Sequence, residues 1–139
     1  RAMEFIAANR DEKMFMFLYN VHTDHVGHTY SWMSPEYIQS IEEGDAQVGR
    51  MLDFLKREGL YEDTHIMWIT DHGGIGKGHG GVSPEEMIVP WIIEGPGIKK
   101  GFTIEEANNT VNTASTVLRL FGVEQPLCWT GEVPMSIFE

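Results

Sequence analysis

A chain of 139 residues, 42% hydrophobic and 22% charged, is long enough for one packed domain and too balanced in composition to be disordered or fibrous. Its net charge of −11 argues against nucleic-acid binding through a basic surface, because neutralising phosphates takes clustered Lys and Arg. Apolar runs such as Ile66–Ile69 fall far short of the roughly 20 residues that span a bilayer, and a single cysteine, Cys128, excludes an internal disulfide.

In chain order, Arg1 in place of a Met leads to the expectation that something upstream has been removed. Residues 14–21 are apolar and aromatic and read as a buried strand, followed by a polar stretch over 22–31. Ser34-Pro35-Glu36 offers an N-cap, a proline at the first helical position and an acid in the first turn. The helix predicted from there runs to about Arg57 and stops at Gly59. Ile38, Ile41, Val48, Leu52 and Leu55 share one face of it. Asp45 continues that face, so it is expected to point inward in a structural role.

Residues 64–70 read as a second strand and 87–94 as a third, ending at Gly95-Pro96-Gly97. A short strand or hairpin is expected over 101–104. A last helix should open at Thr113 and close at Gly122, with the rest irregular. Strands alternating with helices predict an α/β layered fold with a mostly parallel sheet. Three or four strands make a thin sheet with exposed edges, so more sheet is expected upstream.

In open parallel sheets ligands bind beyond the C-terminal ends of strands. The first expected strand runs into His22-Thr23-Asp24-His25-Val26-Gly27-His28, and the second into Asp71-His72-Gly73-Gly74, with His79 soon after. Five of the six histidines lie in these two segments. Imidazole and carboxylate are the ligands zinc takes where thiolate is absent. A bound divalent cation would also answer the repulsion between an acidic chain and a phosphate.

Asp24-His25-Val26-Gly27-His28, Thr70-Asp71-His72-Gly73-Gly74 and Gly78-His79-Gly80-Gly81 together resemble the alkaline phosphatase superfamily, and most of all its type I phosphodiesterase and nucleotide pyrophosphatase branch. The resemblance extends over residues 15 to 131, through Gly44-Asp45-Ala46-Gln47-Val48-Gly49 and Val89-Pro90-Trp91-Ile92-Ile93-Glu94-Gly95-Pro96-Gly97. It implies an alkaline-phosphatase-like three-layer fold, of which residues 1–139 would be the C-terminal part of one metallohydrolase domain. It implies two zinc ions, one held by Asp24, His28 and His79 and a second to which Asp71 and His72 belong. It also implies hydrolysis of a small phosphate ester, either a phosphodiester or a nucleotide pyrophosphate, through a covalent phospho-enzyme. The periplasm or the extracellular space is the compartment it favours.

The family's Thr or Ser nucleophile and its companion aspartate have no counterpart before residue 24, so this chain alone is expected to be inactive and to hold at most one zinc tightly. The rival readings are a sulfatase or a metal-dependent phosphomutase of the same superfamily, or a non-catalytic zinc-binding module. A calcium-dependent sulfatase would prefer all-oxygen ligation, against which the histidines argue.

Gly76-Lys77-Gly78-His79-Gly80-Gly81 matches a dinucleotide-binding fingerprint in letters only, since Ser83-Pro84 and another strand are expected after it. Its glycines are expected to let the backbone pass close to the metals. Lys77 is expected as an exposed loop lysine, His25 and His22 as solvent or backbone partners, and His65 as structural. Tyr30 and Trp32 divide evenly between stacking a substrate ring and packing in the core.

Overall fold

The computed structural model describes all residues 1–139. The chain forms two compact units, Arg1–Thr64 with His72–Ile88, and His65–Asp71 with Val89–Glu139.

The first unit contains α1 (Ala2–Ala8), α2 (His22–Tyr30), α3 (Pro35–Arg57), a 3-10 turn (Tyr61–Asp63) and the single-turn α4 (Pro84–Met87). Helix α3 forms where the sequence predicts it, for local reasons. The Ser34 hydroxyl accepts the Tyr37 amide at 3.2 Å, which satisfies one of the orphan donors of the first turn. Gly59, at φ 70°, turns the chain out of the helix, and the Leu60 amide closes onto the Leu55 carbonyl at 2.8 Å. The buried residues of α3 are Ser40, Phe54 and Leu55. Ile38 and Ile41 stay exposed on the same helix. Asp45 is exposed too, contrary to expectation. The face it continues is uncovered at its N-terminal end, so the carboxylate stays in water and avoids desolvation.

One further expectation fails in this unit. Residues 14–21 form no strand, and Phe15, Phe17 and Tyr19 are 62%, 67% and 75% exposed. A strand exists only as a hydrogen-bonded ladder, and no second strand of this chain pairs with the segment. The polar stretch after it is a helix, α2. Asn20 prepares its start by accepting the His22 amide on its side-chain oxygen at 2.9 Å.

The second unit contains β1 (Ile66–Ile69), β2 (Trp91–Glu94), α5 (Asn112–Phe121) and a 3-10 turn (Met135–Ile137). The two strands pair antiparallel, with Ile66 opposite Glu94 and Ile69 opposite Trp91. This corrects the mostly parallel sheet. A parallel pair needs a crossover element to return the chain to the start of the next strand, and the only helix between β1 and β2 in sequence is the four-residue α4. The third expected strand is shortened to Trp91–Glu94 because Met87 ends α4 and Pro90 lacks the N–H a ladder needs. Residues 101–104 form no strand; Gly101 turns at φ 61° and nothing pairs with residues 102–104.

Helix α5 closes as expected on Gly122 in the left-handed conformation. The Trp91 indole N–H donates to the Thr113 hydroxyl at 2.9 Å, tying β2 to α5. Ile98 and Ile137 are the buried apolar pair of this unit, joined through the Lys99 amide on the Ile137 carbonyl at 2.8 Å.

Candidate metal centre

Within the first unit, helix α2 presents Asp24 and His28 one turn apart on the same face. The glycine-rich segment after His72 brings His79 to them. The Nε2 atoms of His28 and His79 stand 3.2 Å apart, and each is 3.5 Å from Asp24 Oδ1. Ligand atoms about 2.0–2.1 Å from a tetrahedral ion stand about 3.3 Å from one another. The three donors therefore outline one face of a coordination tetrahedron. Asp24 Oδ1 is buried and makes no hydrogen bond, a costly condition for a carboxylate that a cation would relieve. Two imidazoles and one carboxylate oxygen fit a divalent metal with a fourth position open.

The ring of His28 is oriented from behind. Its Nδ1 lies 2.9 Å from the Lys77 carbonyl, so Nδ1–H donates there and the Nε2 lone pair faces Asp24 and His79. The backbone of Lys77, and not its exposed ammonium, is thus what serves the site. Trp32 forms the apolar wall. It is 9% exposed, meets the rings of His28 and His79 edge-on at 5.1 and 5.8 Å, and leans on Tyr37 at 5.8 Å. Burial, with the Asp24 charge adding to it, holds the Tyr37 phenol above its ordinary pKa.

The indole explains two glycines that flank the ligands. A Cβ on Gly27 would lie 2.9 Å from the Trp32 ring, and one on Gly74 2.3 Å from it. Ser31 at φ 93°, strained for a residue with a side chain, turns the chain out of α2. The Trp32 amide and the Ser31 hydroxyl then both donate to the Gly76 carbonyl, at 2.7 and 2.8 Å. Trp32 accordingly packs in the core, while Tyr30 is exposed.

His72 approaches the same oxygen, with Nε2 3.9 Å from Asp24 Oδ1, and its ring stacks on His79 at 3.7 Å and 18°. Stacked imidazoles direct their in-plane lone pairs nearly parallel, so the two cannot both meet one ion at about 2.0–2.1 Å. His72 stands beside the three-donor face without completing it. Asp71 follows β1 in the second unit and is exposed.

Among the remaining histidines, His22 pairs with Glu43 at 3.5 Å on the surface, and His25 is exposed. His65 bonds the Pro96 carbonyl at 2.8 Å, the structural role expected of it. Sequence reasoning passed over Glu86, which is buried at 8% exposure behind the His79 loop. Its carboxylate accepts the Gly81 amide at 2.7 Å and the Ser83 amide at 3.2 Å. Ser83-Pro84-Glu85-Glu86, a local capping pattern, was the signal available for it.

A family model for type I phosphodiesterase / nucleotide pyrophosphatase matches residues 1–83. The chain is 29% identical over 153 residues to the steryl-sulfatase of Rattus norvegicus, covering 90% of this chain and 26% of that protein. It is 30% identical over 128 residues to the 2,3-bisphosphoglycerate-independent phosphoglycerate mutase of Haloquadratum walsbyi, covering 88% of this chain and 24% of that one. It is 32% identical over 72 residues to ectonucleotide pyrophosphatase/phosphodiesterase family member 1 of Homo sapiens, covering 51% of this chain and 8% of the human protein. The chain thus spans about a quarter or less of the length of these relatives. No solved structure matches it.

Proposed function

Because the chain belongs to the type I phosphodiesterase / nucleotide pyrophosphatase family, within the alkaline phosphatase superfamily, we propose that it is the metal-holding part of a two-zinc hydrolase of phosphate esters, either a phosphodiester or a nucleotide pyrophosphate. Asp24, His28 and His79 would hold one zinc, and Asp71 and His72 would belong to the second. The observation that carries the reading is the triangle of donor atoms with edges of 3.2, 3.5 and 3.5 Å around a buried, unbonded carboxylate oxygen. The Thr or Ser that takes the phosphoryl group in this family, with its companion aspartate, has no counterpart in the sequence before residue 24. We therefore assign it to sequence outside this chain, which alone should not turn over. A location in the periplasm or outside the cell is part of the same proposal; no helix here is long and apolar enough to cross a membrane.

The chemistry supplied by zinc at such a site is polarisation of a phosphoryl oxygen and offset of charge that would otherwise repel the ester. The residues of this chain do the rest by holding still. The Lys77 carbonyl fixes one tautomer of His28. The His72 Nδ1, 2.8 Å from the Gly73 carbonyl, fixes its ring in the same manner. The Trp32 indole packs edge-on against the rings of His28 and His79 and so limits how far either can turn.

A sulfatase is the second reading, favoured by the long match to the rat protein. Calcium takes oxygen ligands, and two of the three donors here are imidazole nitrogens. Zinc per chain, counted by native mass spectrometry, tests the proposal. About one zinc should bind, should be lost in His28→Ala and in His79→Ala, and should survive in His72→Ala. Equal zinc in the unmutated chain and His28→Ala, or no zinc in either, would overturn the site as drawn.

A further inference from the structure

Two loops carry the histidines His72 and His79, and both are fastened to one residue outside the donor set. The Glu86 carboxylate accepts the Gly81 amide, two residues past His79, at 2.7 Å, and the Ser83 amide at 3.2 Å. The main-chain carbonyl of the same residue accepts the amide of Gly73, next to His72, at 2.8 Å. The fit is close at both points. A Cβ on Gly81 would lie 2.4 Å from Glu86 Oε2, and one on Gly73 would lie 2.0 Å from the Glu85 carbonyl oxygen. At Gly73 the neighbour is main chain, so only glycine lets that loop approach this near, while at Gly81 a Cβ would push the Glu86 carboxylate itself aside. A buried carboxylate bonded to backbone amides is a rigid fastening, since its charge strengthens each bond and its burial makes losing one costly.

We propose that Glu86 is a positioning residue, a clamp that sets the His79 loop against the His72 loop and so fixes the spacing of His79 from His28 and Asp24. The proposal rests on the metal-site reading above and adds a residue that touches no donor atom. A capping role confined to the single turn of α4 would leave the donors where they are. A clamp would displace His79 when the carboxylate is removed, while the main-chain bond to Gly73 survives substitution.

Cobalt(II) titration of this chain, followed by its visible spectrum, separates the two, with amide exchange of the metal-free chain as a second readout. Glu86→Ala should weaken cobalt binding by about 10- to 100-fold, the usual loss for a partner behind the ligands, and should change the spectrum. Glu86→Gln, which keeps an oxygen for the Gly81 amide, should recover most of both. In the metal-free Glu86→Ala chain the Gly81 amide should lose protection while Gly73 keeps its own. Unchanged affinity and spectrum in Glu86→Ala would overturn the clamp. If Glu86→Ala does not fold, Glu86→Asp, too short to reach Gly81, must show the weakened binding, and full binding would overturn it. If His28→Ala binds cobalt as the unmutated chain does, the metal reading fails by itself. The clamp is then decided by exchange alone, and a protected Gly81 in Glu86→Ala would overturn it.

Discussion

Gly74 lies under the Trp32 indole, and its missing side chain is what allows the apolar wall to sit against the imidazoles. Gly74→Ala places a Cβ 2.3 Å from the ring, so the indole must move. Overpacking of this kind costs about 1–3 kcal/mol. The variant should melt at a lower temperature and bind zinc more weakly, because the indole contacts both His28 and His79. Trp32→Phe, smaller at the point of contact, should restore part of the stability lost in Gly74→Ala, which a double-mutant cycle measures. Additive effects would show that the indole is not what the glycine accommodates. The ligating types were legible in the sequence because histidine and aspartate are scarce, polar and clustered. The groups behind them were not, since a main-chain carbonyl such as that of Lys77 has no letter of its own. Trp32 divided evenly between two roles because an aromatic residue after a turn suits both, and only its fit against Gly27 and Gly74 decides for the core.

Helix α3 depends on its first turn, where the Ser34 hydroxyl serves the Tyr37 amide and Pro35 presets the backbone. Ser34→Ala should lower stability by about 1 kcal/mol. Denaturant unfolding followed by far-UV circular dichroism checks it, and an unchanged midpoint would remove the cap from the account. The bounds of α3 and the closing glycine of α5 could be read from sequence because capping is local chemistry, settled within about four residues. Strands are settled by partners. Residues 14–21 carry every apolar mark of a strand and form none, because the ladder that would make them one is not available within this chain. Helix α2 escaped notice for the opposite reason: its sequence is polar and includes a glycine, so no apolar stripe announces it. The four-residue spacing of Asp24 and His28, with Asn20 ahead of them, was the usable sign. The site thus lies on a helix and a glycine-rich loop, where strand ends were expected.

At the scale of the molecule, acid acts on this chain through two opposed effects. A net charge of −11 repels itself, and protonating carboxylates relieves that repulsion as pH falls. The relief is spread over exposed groups and is screened at physiological ionic strength. Against it stand two glutamates, one in each unit, whose charged forms hold the fold locally. The Gly81 amide, with the bonds at Ser83, keeps the Glu86 carboxyl below its usual pKa of 4.5. The Ser136 hydroxyl and amide do the same for Glu106. A folded-state pKa below the unfolded value gives stability that is fully present above the unfolded pKa and is lost as pH falls through the folded one. With salt present, the local effect should win. The denaturation midpoint of the metal-free chain should stay level down to about pH 5 and decline below 4.5. Glu106→Gln should flatten the decline in the signal of the second unit, and Glu86→Gln in that of the first. All three chains share every other titratable group, so the differences among them isolate the two carboxylates. A midpoint that rises steadily as acid is added would mean that relief of the net charge outweighs both.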